Sequence, residues 1–188
     1  MKTSSVLPNI SRFLLPLFIG IIVVPATAAY ADAVAPALQE KVDRYKKNLL
    51  AWSVHPLVVA AVKESNSKAH ITRMSNSQWA ALGETDPEVT RFNQNAVGKQ
   101  ITLWEQDKAF EKLNIRDGKG YLVAFSNTKP LLYNNSARPP FVNGLKGVWS
   151  AAEVQPDPTT RKMSVQISAP IMDGGKAIGV IHAAVLAE

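Results

Sequence analysis

Residues 161–186 constrain the fold more than any other stretch of this chain. Val165, Ile167, Ala169 and Ile171 alternate with Ser164, Gln166 and Ser168. That period of two predicts a half-buried strand. Asp173, Gly174 and Gly175 follow, residues that tolerate the positive φ of a tight hairpin turn. The return segment, 177–186, is apolar on both faces apart from His182. A strand with no polar face is covered on both sides, so it is expected near the centre of a sheet. Pro170 cannot donate to a ladder, which predicts a bulge or a strand edge at that point. A hairpin cannot bury itself, so helices must cover at least one face.

The helices come first in the chain. Leu38, Val42, Tyr45, Leu49 and Trp52 recur at spacings of four, three, four and three, one apolar stripe on a long helix. Pro36 suits its first turn. The stripe serves core packing or, alternatively, a dimer seam. His55-Pro56 interrupts it, and 57–63 reads as a second, short helix. Residues 70–74 are ambiguous. Ser75–Gln78 and Thr85–Glu88 both carry capping-box spacing. The first opens a helix with Trp79 and Leu82. The second opens one with Val89, Phe92 and Ala96, which Gly98 caps or kinks, and a further turn reaches Trp104.

Strands then take over. Residues 110–115 and 121–125 read as strand, turn, strand around Asp117-Gly118-Lys119-Gly120. Residues 127–147 hold three prolines, four asparagines and two glycines. Long ordered connections of this kind are often binding loops, and a short helix at 139–145 fits within it. A strand carrying Trp149 is expected over 147–153, then a turn over 155–160. Helices followed by about five strands give an α+β fold with an antiparallel sheet.

The N-terminus reads as a secretory signal peptide over residues 1–31. Lys2 and Arg12 precede an apolar run at 13–24, and Ala29-Tyr30-Ala31 and Ala31-Asp32-Ala33 offer small-residue cleavage sites. The run is short for a membrane span. A mature domain over 32–188 in the periplasm or secreted is expected, with a retained anchor as the alternative. Cleavage lowers the net charge from +6 to +4. The lysines and arginines are scattered, so nucleic acid is not an expected partner. The chain has no cysteine, which excludes disulfides and thiolate chemistry.

Catalysis finds little support. His55, His70 and His182 lie in no zinc-binding spacing, and no nucleophile elbow or phosphate-cradling loop is present. No enzyme activity, metal or cofactor is expected. His182, in an apolar strand, reads as a hydrogen-bonded core histidine.

The order of a long helix, short helices, the stretch from Leu113 through Asp117-Gly118-Lys119-Gly120 to Ser126, and the ending Pro170-Ile171-Met172-Asp173-Gly174-Gly175-Lys176-Ala177-Ile178-Gly179-Val180 resembles a single Cache domain. These are extracytoplasmic PAS-like sensor domains. The resemblance spans about residues 36–187. It implies a five-stranded antiparallel sheet with the long helix on one face. On the other face, a small ligand sits under the loop between the second and third strands. The acidic residues usual in that loop are missing between Lys129 and Arg138, where Tyr133 alone matches, so the resemblance names no ligand. Family members are usually sensor halves of larger signalling proteins. Here the chain ends at Glu188, so reporting through a partner is expected, with a membrane-bound signalling partner or a homodimer as options.

Six residues make the expected ligand site. Tyr133, Asn134, Arg138 and Trp149 lie in or near the long loop, and Tyr121 and Phe125 share a strand. Small-molecule sites combine apolar walls with a few aimed polar groups. Arg138 would pair with a carboxylate, Tyr133 and Asn134 would orient it, and Trp149 would close over its apolar part. The expected function is an anion-binding sensor module. The alternative is a non-catalytic partner subunit with the same fold and an empty pocket.

Overall fold

The structure, a computed structural model, describes residues 36–68, 73–107 and 109–187. The expected signal peptide, His70 and most of the ambiguous stretch at 70–74 lie outside the described residues. No helix among the described residues is long and apolar enough to cross a membrane.

Helix α1 (Pro36–Ser53) follows the apolar stripe, burying Leu38, Val42, Tyr45 and Leu49. His55 ends the run and caps α2 (Pro56–Ser67), its ring accepting from the Leu57 backbone N–H. Ser75 and Gln78 form the expected capping box of α3 (Asn76–Ala81). The next cap falls one residue later than its spacing predicts. Asp86, not Thr85, caps α4 (Pro87–Gln94), because Pro87 takes the first helical position and Asp86 accepts from Glu88 N–H. Asn95 breaks that helix and caps α5 (Ala96–Trp104). Gly98 therefore neither caps nor kinks α4. It lies in the first turn of α5, where a Cβ would stand 2.5 Å from the Phe92 carbonyl oxygen.

Five strands form one sheet in the order β2-β1-β5-β4-β3: β1 (Phe110–Asp117), β2 (Leu122–Phe125), β3 (Ser150–Pro156), β4 (Met163–Asp173) and β5 (Lys176–Leu186). All neighbouring pairs are antiparallel. The strand with no polar face, β5, is the central one. Gly174 and Gly175 make the β4–β5 turn at φ 55° and 82°. Pro170 pairs with Val180 beyond the last β3 partner, Ser168, and the β4 bulge follows between Ile171 and Met172. No ladder hydrogen bond to β3 is lost there. Strand β3 starts and ends three residues later than expected. Gly147, at φ 79°, still belongs to the turn that closes α6 (Pro139–Leu145), and pairing with β4 carries the strand on to Pro156.

The alternation in the strands sorts the two faces of the sheet. Leu113, Ile115, Val165, Ile167, Ala169, Ile171, Ile181, Ala183 and Val185 form one core with α1 and α2. The opposite face carries Lys112, Asn114 and Arg116 of β1, Val180, His182 and Ala184 of β5, and Ser164, Gln166 and Ser168 of β4. The loop and α6 lie over this second face. Gly144 lets α6 approach, since a Cβ there would stand 2.6 Å from a Val180 methyl.

Candidate functional site

The second face of the sheet has an aromatic half and a polar half. Over β2, Trp79, Val89, Phe92, Leu122, Phe125 and Tyr133 form a separate buried cluster. The Tyr133 ring lies 5.6 Å from Trp79 and 5.8 Å from Phe92. Trp79 anchors the loop by donating to the Pro130 carbonyl at 2.7 Å. Lys129 ties back to the carbonyls of Trp79 and Leu82.

The polar half holds the loop in place. Arg116 is 2 % exposed, and its close partners among the described residues are uncharged. Its guanidinium donates to the carbonyls of Tyr133 (2.6 Å) and Leu132 (2.8 Å) and to Asn114 Oδ1 (3.1 Å). Burial pushes its pKa down to about 9, so it stays charged at neutral pH. His182 faces Asn135, whose amide nitrogen is 3.4 Å from Nε2. Burial, then Arg116 and Lys112, push this ring down to about 3. It is therefore neutral at physiological pH. Lys112 pairs with buried Asp157 at 2.5 Å, and Gln166 bonds the same carboxylate.

The six expected site residues do not converge. Tyr121, Phe125 and Tyr133 come together: Tyr121 and Tyr133 are 5.6 Å apart, and Phe125 joins the same cluster. Asn134 is spent on local structure, its amide donating to the Lys119 carbonyl and its oxygen accepting from Ser136 N–H. Arg138 is exposed at the head of α6 with no side-chain capping bond. Trp149 requires a correction. It packs against the α1 core on the other face, with Lys46 Nζ 5.5 Å from its ring centroid. It therefore cannot close over a ligand held by Tyr133, because the sheet lies between them.

A ligand-sized space lies beside the roofed face, at the outer edge of β2. This cleft encloses about 800 Å³, within the usual 300–1,000 Å³ of small-molecule sites. One wall is a stripe of α2: Leu57, Ala60, Ala61, Glu64, Ser65 and, just past the helix, Lys68. The other comes from α4 and α5: Glu88, Arg91, Phe92, Asn95, Ala96 and Val97. Leu122, Val123 and Tyr133 form the floor. Arg73 crosses one part, bonded to the Ser65 carbonyl at 2.8 Å, paired with Asp117 at 3.3 Å and stacked 4.9 Å from the Tyr121 ring. Asn95 donates to the Val123 carbonyl at 3.1 Å, tying α5 to the edge strand. Sequence reading missed Arg73, Arg91 and Lys68, which sit in elements far apart along the chain. It also missed Asn114 and Arg116, although their alternation with Leu113 and Ile115 signals a polar face.

The architecture defines a class. It is an α+β fold, a five-stranded antiparallel sheet with the long helix on one face, the architecture that the sequence resemblance implies. No family model matches the chain, and no curated protein matches it. Solved structures do. The sensor domain of the V. cholerae histidine kinase DctB aligns at 16% identity and TM-score 0.51, over 79% of this chain and 50% of that one. The isoleucine-bound sensory domain of the Campylobacter jejuni chemoreceptor Tlp3 aligns at 16% identity and TM-score 0.41, over 82% and 64%. The GABA-bound ligand-binding domain of the Pseudomonas aeruginosa PAO1 chemoreceptor PctC aligns at 17% identity and TM-score 0.35, over 69% and 57%. The chain spans about half the length of the DctB sensor domain.

Proposed function

We propose that this chain is a small-molecule-binding sensor module of the Cache type. It acts outside the cytoplasm and reports occupancy to a partner protein. Residues 1–31 are read as the export signal and 32–188 as the sensor domain. The reading assigns no catalytic residue and no cofactor. The observation that carries it is the cleft of about 800 Å³ floored by Tyr133. It combines an apolar floor of Leu122 and Val123 with Tyr133, polar and charged side chains on both walls, and an Arg73 side chain held by Ser65 and Asp117. Of the six residues read from the sequence, the proposal keeps Tyr133 in the site and Tyr121 as the ring that seats Arg73. Phe125 supports Tyr133 from within the aromatic cluster.

A second reading has its own support. The aromatic cluster packs Tyr133, Phe125 and Trp79 under the loop, where the resemblance places a ligand. A non-catalytic partner subunit with a filled pocket would look the same. A melting screen against a broad metabolite panel separates the two, since a ligand that binds only the native state raises its stability by mass action. The sensor reading expects at least one saturable, dose-dependent rise. A flat response across the panel leaves the partner-subunit reading.

A further inference from the structure

Asn143 and Gly144, in α6, are the chain's one Asn-Gly pair. Asparagine before glycine is open to spontaneous deamidation, because glycine sets no side chain in the path to its own backbone nitrogen and leaves the backbone free to turn. The fold requires the glycine and exposes the asparagine. Gly144 is buried, and a Cβ there would stand 2.6 and 2.8 Å from the two methyls of Val180. Asn143 is exposed, and its side chain has no hydrogen-bond partner among the described residues. The asparagines that precede serine are held instead. Asn66 donates to the Ile178 carbonyl and accepts from Gly118 N–H. Asn76 bonds both backbone groups of Asn134, and Asn135 faces His182.

A helix opposes this reaction by engaging its backbone nitrogens in hydrogen bonds. The opposition from α6 is weak. It has seven residues and no side-chain capping bond, and helices so short do not hold themselves. Asn143 lies in the last turn, where its carbonyl accepts from Lys146 N–H at 3.0 Å and Val148 N–H at 3.1 Å. Such ends open locally at little cost. We infer that Asn143 is a site of spontaneous deamidation, and that the reaction loosens α6 from the sheet. The Gly144 nitrogen loses its proton to solvent base and attacks Asn143 Cγ. The Cγ–Nδ2 bond breaks, ammonia leaves, and a five-membered succinimide closes. Water then opens the ring. Attack at Cγ gives aspartate, and attack at the backbone carbonyl carbon gives isoaspartate. Isoaspartate routes the chain through Cβ and Cγ, so Gly144 no longer meets Val180 in place. Aspartate keeps the backbone length and only adds a negative charge near the helix C-terminus, where the dipole disfavours it.

The test is peptide mapping by mass spectrometry after the mature chain is incubated in heavy-oxygen water at neutral and at alkaline pH. Asn143 is expected to take up heavy oxygen about tenfold faster, or more, than Asn66, Asn76 or Asn135, a barrier difference of about 1.4 kcal/mol. The rate should rise with pH, since the attacking nitrogen must lose its proton. Asn143→Ser removes the amide from an exposed position and should abolish uptake there with the fold intact. Hydrogen exchange on the products, separated by ion exchange, then reads the helix. The isoaspartate form should lose protection across α6, whereas Asn143→Asp should keep it. Uptake at Asn143 no faster than at the other three overturns the site and shows that the short helix guards it. Equal protection of the isoaspartate form and the unmodified chain overturns the loosening of α6.

Discussion

Arg116 Nη1 donates to the carbonyl oxygen of Tyr133 at 2.6 Å, across the 17 residues that separate strand from loop. The same carbonyl accepts from Leu122 N–H at 3.0 Å. Tyr133 is thus fixed by its backbone, and its ring can serve at once as a wall of the aromatic cluster and as the floor of the cleft.

Replacing that arginine tests the tether. Arg116→Met keeps most of the volume but takes the donor from the Leu132 carbonyl and from Asn114 Oδ1, while the Tyr133 carbonyl keeps its bond from Leu122 N–H. Buried groups left without a partner cost about 1–3 kcal/mol each, so a loss of about 2–5 kcal/mol is expected in urea unfolding. Ligand affinity should fall with it. A loss below about 1 kcal/mol, the scale of ordinary surface changes, would show that the loop holds its place without Arg116.

Leu49 tests the long helix. It is fully buried against the sheet, so Leu49→Ala should cost about 2–5 kcal/mol. An unchanged monomer stability paired with a weakened dimer would assign the stripe to a subunit seam instead.

Glu105 sets a pH dependence. It is 9 % exposed, and its Oε2 has no hydrogen-bond partner among the described residues. Burial, with a smaller push from Glu111, raises its pKa to about 7 against the bonds from Asn127 and Leu113. The folded state therefore holds this proton more tightly than the unfolded chain. Stability from this group is complete below about pH 4.5 and is lost as pH rises toward about 7. The change is on the order of 3 kcal/mol, from about 1.4 kcal/mol per pKa unit. Glu105→Gln should abolish it, so the difference between variant and wild type in urea midpoint should grow from pH 4.5 to pH 8. A constant difference would place the carboxyl in solvent.

Two arginines separate the cleft from the site first read in the sequence. Arg73→Gln removes a fixed cation from the cleft and should weaken ligand binding by roughly 10- to 150-fold, if one charge-assisted bond of about 1.5–3 kcal/mol is lost. Arg138→Ala, at the exposed head of α6, should leave affinity within about twofold. The reverse ranking by calorimetry would move the site beneath α6.

Export is checked by N-terminal sequencing of protein recovered outside the cytoplasm. A start at Asp32 or Val34 is expected from the two small-residue sites. Intact Met1 in a membrane fraction would make the segment an anchor.

Much of the fold could be read along the chain. The alternation in β4, the two-sided apolar run of β5 and the Gly174-Gly175 turn determine a hairpin with β5 at the centre, because side-chain period and face coverage are local consequences of backbone geometry. The same holds for the stripe of α1 and the Ser75 cap, whose partners lie within a few residues. The short helix expected at 139–145 within the long loop is α6.

The site was not decided locally. Sequence placed Trp149 near Tyr133 because both lie in or near one loop, yet Trp149, just before β3, packs on the α1 core and Tyr133 lies on the other face. Arg138 has the chemistry of a carboxylate clamp, but the fold leaves it at the head of α6. The cleft arises because a stripe of α2 and a stripe of α4 and α5 stand on either side of the short edge strand β2. Neither stripe carries a signal of that pairing. Periodicity fixes which residues share a face, and only tertiary packing decides which two faces meet and whether space remains between them.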